Sequence, residues 1–495
     1  MRHAAVVLIL SLGISPVAPV RLAAQTAPEE NIIIGRPTDS SIVVHALADE
    51  ATEIIVEYGE TTGRLPQQAG LFESSTDGVA EILIEGLRPD TRYFYRLSYR
   101  AQSEGVFQAG EEHSFHTQRP AGATFTFGVQ GDSHPERLGV MYSPDLYTLT
   151  MKQVAADQPD LYFMLGDDFS ISNQMPDYFQ GDRSTLTQRF VDDIYINQRW
   201  FLGIMANSTA LFPVNGNHEE ARLSLLGTPL HDVSVFAGRA RTRYFPVPTP
   251  DDFYSGDHEP VEGIGLLGDY FSFEWGDALF VSLDHYWHSP RVSENIGGMG
   301  IGMGTDPPWS EIVDEWDSLT HPTGNLWDAT IGDAQYAWLK TTLEESDAKY
   351  KFVFTHHVLG TGRGGIERAT KYEWGGYTDE GDWKFDEQRP GWELPIHQLM
   401  VENGVNIFFQ AHDHIFARQE LDGIVYQSVP NPADDTYTAR NRNAYLSGDI
   451  LDNSGYLNVT VSPEEVKVEY IRSYLPEHEV GGREHGEVAY SYTVR

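Results

Sequence analysis

The distribution of apolar and polar positions divides the chain near residue 120. Between Asn31 and Thr117, segments such as Ser41–Leu47 and Thr52–Tyr58 alternate or run apolar at strand length, separated by acidic and glycine-bearing turns. This predicts an all-β unit over 31–118. Arg119–Ala123 has the composition of a linker. Beyond it the pattern becomes strand followed by helix, with helical composition over Met151–Ala156, Leu186–Met205, Asp333–Glu345 and Glu393–Glu402, the last stopped by Gly404. A long irregular stretch rich in Gly, Pro, Trp and Asp separates Glu219 from Tyr350. It contains a predicted hairpin over Asp269–Leu283, turning at Gly276-Asp277, and a glycine-rich run, Gly297–Gly304, read as a surface loop because it lacks a βαβ setting. A second hairpin is predicted from Leu457–Val461 and Glu465–Ile471 around Ser462-Pro463.

Five of the apolar runs end in residues that bind metals. Thr124–Gln130 leads into Gly131-Asp132-Ser133-His134, Leu161–Leu165 into Gly166-Asp167-Asp168, and Leu211–Asn215 into Gly216-Asn217-His218-Glu219. Tyr350–Thr355 leads into His356-His357, and Val405–Gln410 through Ala411 into His412-Asp413-His414. Short continuous apolar runs are typical of strands buried on both faces, and ligand sites of open α/β sheets lie beyond the carboxyl ends of strands. Asp, Asn and His gathered at such an edge point to a pair of divalent or trivalent metal ions.

Composition narrows the setting. The 495 residues suffice for two or three domains. Arg2 and His3, the apolar Ala4–Ile14 and the small-residue site Leu22-Ala23-Ala24 read as a signal peptide over 1–24, which predicts a secreted or periplasmic protein. No later segment approaches the ~20 apolar residues of a membrane span. With no Cys, thiolate metal sites and Cys nucleophiles are excluded. The net charge of −39, from 73 acidic and 34 basic residues, argues against a nucleic-acid-binding surface. It also poses a problem for an anionic substrate, whose attraction must come from local metal charge.

The five blocks, in this order, resemble the calcineurin-like metallophosphoesterase superfamily. With a β unit in front, the chain is most similar to purple acid phosphatase-type enzymes. Leu87–Leu97, with Tyr93 pinning the preceding corner, resembles a late strand of a fibronectin type III-like sandwich. The implied fold is α/β: an all-β sandwich over 31–118, then a four-layer αββα catalytic domain over 123–475 with an insertion around 223–330, and a C-terminal tail over 476–495. The resemblance assigns Asp132, His134, Asp167 and His414 to one metal, and Asp167, Asn217, His356 and His412 to the other, with Asp167 bridging. Fe, Zn or Mn suit these donors. Purple acid phosphatases carry Gly-Asp-x-Gly in the first block and a Tyr in the second. Here His134 and Ser170 stand at those positions, so His134 replaces the missing Tyr as ligand and no tyrosinate colour is expected. Ala411 replaces the usual Gly.

By the same resemblance His218 is the candidate proton donor and Asn217 and His218 are candidate substrate contacts; His357 is a candidate either for supporting a ligand or for touching substrate, and Arg363 is a further candidate substrate contact. Glu219 is a candidate for orienting His218, and Asp168 for holding a ligand histidine. Asp413 is read as facing away. Arg363 lies in the Gly-rich segment Gly360–Gly365, and its planar fork suits a phosphate. His285 and His288 are weaker pocket candidates. The expected activity is hydrolysis of small phosphate monoesters by attack of metal-bound hydroxide, with phosphodiester or nucleotide hydrolysis as the alternative. A non-catalytic extracellular binding protein, its metals only structural, is a third reading. Oligomeric state is not legible.

Overall fold

The computed structural model describes residues 31–495 except 49–51, 77, 102–105, 172–185, 228–230, 291–325 and 359–362. The signal-peptide expectation, the Gly297–Gly304 loop and Gly360–Gly362 fall outside the described residues.

Eight strands form the first unit: β1 (Asn31–Gly35), β2 (Ser41–Leu47), β3 (Thr52–Gly59), β4 (Gln67–Glu73), β5 (Val79–Glu85), β6 (Arg92–Ala101), β7 (Gln108–Ala109) and β8 (His113–His116). They make a three-stranded sheet, β1-β2-β5, and a five-stranded one, β4-β3-β6-β7 with β8 on β6. The sheets enclose Ile32, Ile34, Val44, Ile54, Tyr95 and Leu97 among other apolar side chains. The backbone N–H of Arg88 donates to the Tyr93 hydroxyl (2.9 Å), which pins the corner before β6.

The catalytic body has two sheets. The first has the order β11-β10-β9-β20-β21-β22, with β9 (Phe125–Gln130), β10 (Leu161–Met164) and β11 (Ala210–Pro213) parallel, and β20 (Gly455–Val461), β21 (Val466–Arg472) and β22 (Val488–Val494) antiparallel. The second has the order β12-β13-β14-β15-β16-β18-β17-β19. Its strands are β12 (Ser255–Gly256), β13 (Phe271–Trp275), β14 (Ala278–Ser282), β15 (Tyr350–Phe354), β16 (Ile407–Gln410), β17 (Phe416–Leu421), β18 (Ile424–Ser428) and β19 (Asp449–Leu451). Within it β14, β15, β16 and β18 run parallel. The expected tail over 476–495 is corrected here: residues 488–494 form the edge strand of the first sheet, paired from Val466↔Val494 to Ile471↔Val488. Alternating Val488, Tyr490 and Tyr492 carry that strand, a period-two signal.

The apolar runs are continuous because both faces of each strand are covered. Along β10, Leu161 and Phe163 point between the sheets while Tyr162 and Met164 point outward. Between the sheets lies a phenylalanine stack in which Phe163 sits 4.2 Å from Phe354 and 5.5 Å from Phe280. Outside the first sheet pack α1 (Pro144–Asp157), α2 (Gln188–Ala206) and α3 (His231–Tyr244); outside the second pack α4 (Gly332–Glu345) and α5 (Ile396–Glu402). This is the four-layer αββα order. Helix α1 starts earlier than its composition suggested. Ser143 accepts the N–H of Leu146 as a cap and Pro144 occupies the first turn.

Candidate metal centre

The five loops meet along one edge formed by β9, β10 and β11 of the first sheet and β15 and β16 of the second. Close backbone approach makes this possible. A Cβ on Gly216 would lie 2.4 Å from the Asp167 nitrogen, and one on Gly166 would lie 2.6 Å from the Gly216 nitrogen. Glu219 clamps the two loops: its carboxylate accepts the N–H groups of Asp167 (3.0 Å), Asp168 (2.8 Å), Phe169 (3.1 Å) and Gly216 (2.8 Å). Its role is therefore to brace the loops, not to orient His218 as expected. His134, Asp167, His412 and His414 all have positive φ, between 50° and 63°. Each costs on the order of 1–3 kcal/mol for such residues, so the surrounding packing holds four donors in conformations they would otherwise avoid.

The donors converge in two groups. Ligand atoms of Asp132, His134 and His414 lie within 4.8 Å of one another, as do those of Asp132, Asp167, His356 and His412. His356 Nε2 is 3.1 Å from Asn217 Oδ1, 3.2 Å from His412 Nδ1 and 3.2 Å from Asp167 Oδ2. His134 Nε2 is 3.0 Å from His414 Nε2 and 3.7 Å from Asp167 Oδ2, which places Asp167 between the groups.

Within these groups acceptors face acceptors. His134 Nδ1 lies 2.9 Å from Glu136 Oε1 and His356 Nδ1 lies 2.6 Å from the Leu165 carbonyl. Each therefore keeps a proton on Nδ1, which leaves Nε2 as the nitrogen that can bind a metal once the ring is neutral. Asp132 Oδ2 accepts the His412 N–H, while its Oδ1 is buried without a partner, 3.5 Å from His414 Nε2. His414 Nδ1 is also buried and unpartnered. Burial disfavours charge on His356, yet Asp167 and Asp132 outweigh it and push the imidazole up to about 10. Burial holds His134 down at about 4, with Arg137 adding to the effect. One imidazole binds a proton tightly while its neighbours refuse one. A cation satisfies all these donors together, so the residues fit a metal centre.

The outer contacts differ from expectation. Glu136, not Asp168, contacts the candidate ligand His134. Asp168 instead accepts from Gln130 Nε2 (3.0 Å) and the Ser133 N–H (3.3 Å). Asp413 faces away, accepting from Arg363, Gly364 and Tyr445. Arg363 donates to the His412 carbonyl (2.9 Å) and to Asp413 (3.0 Å), with its side chain 26% exposed at the rim. His357 is buried, its Nε2 3.0 Å from the Tyr286 hydroxyl and its ring 4.3 Å from that of His412. It packs against His412, and a ligand atom of His357 lies within 4.8 Å of those of His356 and His412. His285 contacts Thr355 Oγ1 (3.2 Å), and His288 pairs with Asp269 (2.8 Å), so neither lines the centre. Ser170 is buried, and Ala411, equally buried, donates its N–H to the His356 carbonyl.

His218 stands at the open side. Its N–H donates to Asp167 Oδ1 (2.8 Å), and its Nε2 lies 3.3 Å from Arg137 Nη2. Arg137 was not singled out from the sequence, although it follows the ligand His134 by only three residues. Arg222 Nη2 donates to the Asn217 carbonyl (2.8 Å) from a fully buried position, which fixes the Asn217 loop.

Residues 125–416, more than half of the chain, match the family of calcineurin-like phosphoesterases. Two solved structures share the architecture. That of PhoD has a TM-score of 0.59 at 15% identity, over 89% of this chain and 85% of that one. That of the purple acid phosphatase PPD1 from seeds of yellow lupin (Lupinus luteus) has a TM-score of 0.57 at 15% identity, over 94% of this chain and 73% of that one. At such identity these likenesses speak to fold alone. Among curated proteins, no sequence matches the chain.

Proposed function

This chain belongs to the calcineurin-like phosphoesterase family, and from that premise we propose that it is an exported hydrolase of small phosphate monoesters working with two ions drawn from Fe, Zn and Mn. The observation that carries this reading is the double group of converging carboxylate, amide and imidazole side chains with Asp167 between them, flanked by Arg137 on His218 and Arg363 on His412. Bound ions supply an acidified water and neutralise charge on the phosphate oxygens.

The chain's own residues do the rest. Arg137 and Arg363, paired with Glu136 and Asp413, bring guanidinium groups next to His218 and His412 in a protein of net charge −39. Two guanidinium groups suit the dianion of a monoester better than the single charge of a diester. A guanidinium only donates, so Arg137 makes His218 Nε2 an acceptor before substrate arrives. An entering phosphate competes for Arg137, and His218 Nε2, released from it, would take a proton from solvent and pass it to the leaving-group oxygen. With Ser170 where a coloured iron site has tyrosine, no tyrosinate absorption arises even with iron bound. The β unit, read as fibronectin type III-like, supports the catalytic body. Among the described residues no helix is long and apolar enough to cross a membrane, and export rests on the sequence of residues 1–24.

The test is turnover of p-nitrophenyl phosphate against bis-p-nitrophenyl phosphate by chelator-stripped protein resupplied with Fe, Zn, Mn or Mg. Metal-dependent preference for the monoester supports the proposal. Preference for the diester replaces it with a phosphodiesterase. No turnover of either overturns the substrate class.

A further inference from the structure

A second set of buried donors lies at the edge of the second sheet, beyond β14 and away from the catalytic groups. Asp257 follows β12, Asp269 precedes β13 and His288 closes the turn after β14, so the hairpin brings residues distant in sequence together. One ligand atom from each lies within 4.8 Å of the others. Asp269 is fully buried, Asp257 is 5% exposed and the His288 side chain 17%.

His288 Nε2 meets Asp269 Oδ2 at 2.8 Å. The other oxygen, Asp269 Oδ1, is buried with no hydrogen-bond partner, and so is Oδ2 of Asp284 in the same turn. Three buried carboxylates are thus opposed by His288 and by Arg241, whose Nη2 is engaged by the carbonyls of Pro213 (2.8 Å) and Gly268 (3.0 Å). Buried charge is normally paired or coordinated to metal. Metal–ligand bonds of about 2.0–2.2 Å bring donor atoms to roughly 3–4 Å of one another, a small contraction of the present arrangement.

We propose that Asp257, Asp269 and His288 bind a divalent transition-metal ion, of the Mn or Zn type, at a site separate from the catalytic centre. Two carboxylates and one imidazole match that choice. The ion ties the start of β13 to the turn over 284–288. That turn meets the catalytic edge: His285 contacts Thr355, the residue before His356, and the Tyr286 hydroxyl contacts His357. The site is therefore a brace for the loop carrying His356, and needs no part in the reaction itself.

The test uses Mn2+ alone with the full chain. Crystals equilibrated with Mn2+ and measured at the manganese absorption edge are expected to show an anomalous peak between Asp257, Asp269 and His288. Metal analysis is expected to give one ion per chain fewer in Asp257→Asn than in the unsubstituted protein. In an Asp167→Asn background, Mn2+ should still raise the melting temperature, and adding Asp257→Asn should abolish that rise. No peak at the cluster, or equal metal content with and without Asp257→Asn, overturns the proposal. The diffraction measurement requires no substitution at the cluster, so it stands even if Asp257→Asn fails to fold, and none of the readouts depends on turnover.

Discussion

At the seam between the β unit and the catalytic body, Arg199 is completely buried and its five N–H groups meet five acceptors. Nε donates to Asn31 Oδ1, Nη1 to the Tyr244 carbonyl and His45 Nδ1, and Nη2 to the carbonyls of Asn31 and His45. Along the strand ends, equally buried side chains of Asp, Asn and His present lone pairs to one another, and Asp132 Oδ1 and His414 Nδ1 meet nothing. Both regions are polar and buried, and burial alone does not distinguish them. The balance of donors and acceptors does. A cluster whose hydrogen bonds close on themselves holds the fold together, whereas one with surplus acceptors has a place for a cation.

The comparison breaks if the two regions respond alike to substitution. Asp167→Asn removes the carboxylate between the two donor groups. Turnover should fall by more than about a thousand-fold, beyond the 10–100-fold typical of outer contacts, while the denaturant midpoint of metal-free protein falls only modestly: the ion pair of Asp167 with His356 is lost, but the amide oxygen still accepts the His218 N–H. Arg199→Met should do the reverse. It takes a donor from the carbonyls of Asn31, His45 and Tyr244, and a buried polar group left unsatisfied costs about 1–3 kcal/mol. Activity per folded molecule should persist. A catalytic loss with unchanged midpoint in Arg199→Met, or collapse of metal-free Asp167→Asn, would remove the distinction.

A smaller effect sharpens the assignment of outer contacts. Glu136→Gln weakens the hold on His134 Nδ1 without touching the ligand nitrogen. Metal affinity, measured by competition with a chelator, should drop by about 10–100-fold. Asp168→Asn, which contacts no ligand histidine, should leave it unchanged. Equal effects would return Asp168 to the role the sequence suggested for it.

How far the sequence carries follows from the same physics. Strand runs and terminal donors were legible because each belongs to one short segment: β9 and Asp132, β15 and His356. The hairpins were legible because Gly276 and Ser462-Pro463 mark their turns. The functions of acidic residues were not. Asp168, Glu136 and Glu219 are all near ligands in sequence, and only the path of the backbone decides which reaches an imidazole and which reaches N–H groups. The edge strand β22 was missed because its alternation is weak and half-exposed. Asp257, Asp269 and His288 stand apart in the sequence, although a hairpin over Asp269–Leu283 already implies that its two ends are neighbours.

The seam also sets a pH dependence. Burial, reinforced by Arg199, holds His45 well below the usual imidazole value, and its Nδ1 accepts from Arg199, so the folded protein keeps this ring neutral. Glu81, 4.0 Å from Nε2 and half-exposed, is the one group favouring the proton that stands within ion-pair distance among the described residues. In the unfolded chain the same ring titrates near 6.5. Above that pH neither state binds the proton, and His45 contributes its full share of stability. As pH falls below about 6.5 the unfolded chain takes up a proton that the folded one refuses, so stability declines, with a limiting slope of about 1.4 kcal/mol per pH unit for one proton. His45→Asn keeps an acceptor for Arg199 but cannot titrate. In urea melts of chelated protein between pH 7.5 and 5, the decline should be shallower by up to one proton in His45→Asn, with the two proteins converging in slope above about pH 7. Equal slopes through pH 6 would mean that His45 takes up a proton in the folded seam, which the five closed hydrogen bonds of Arg199 leave no room for.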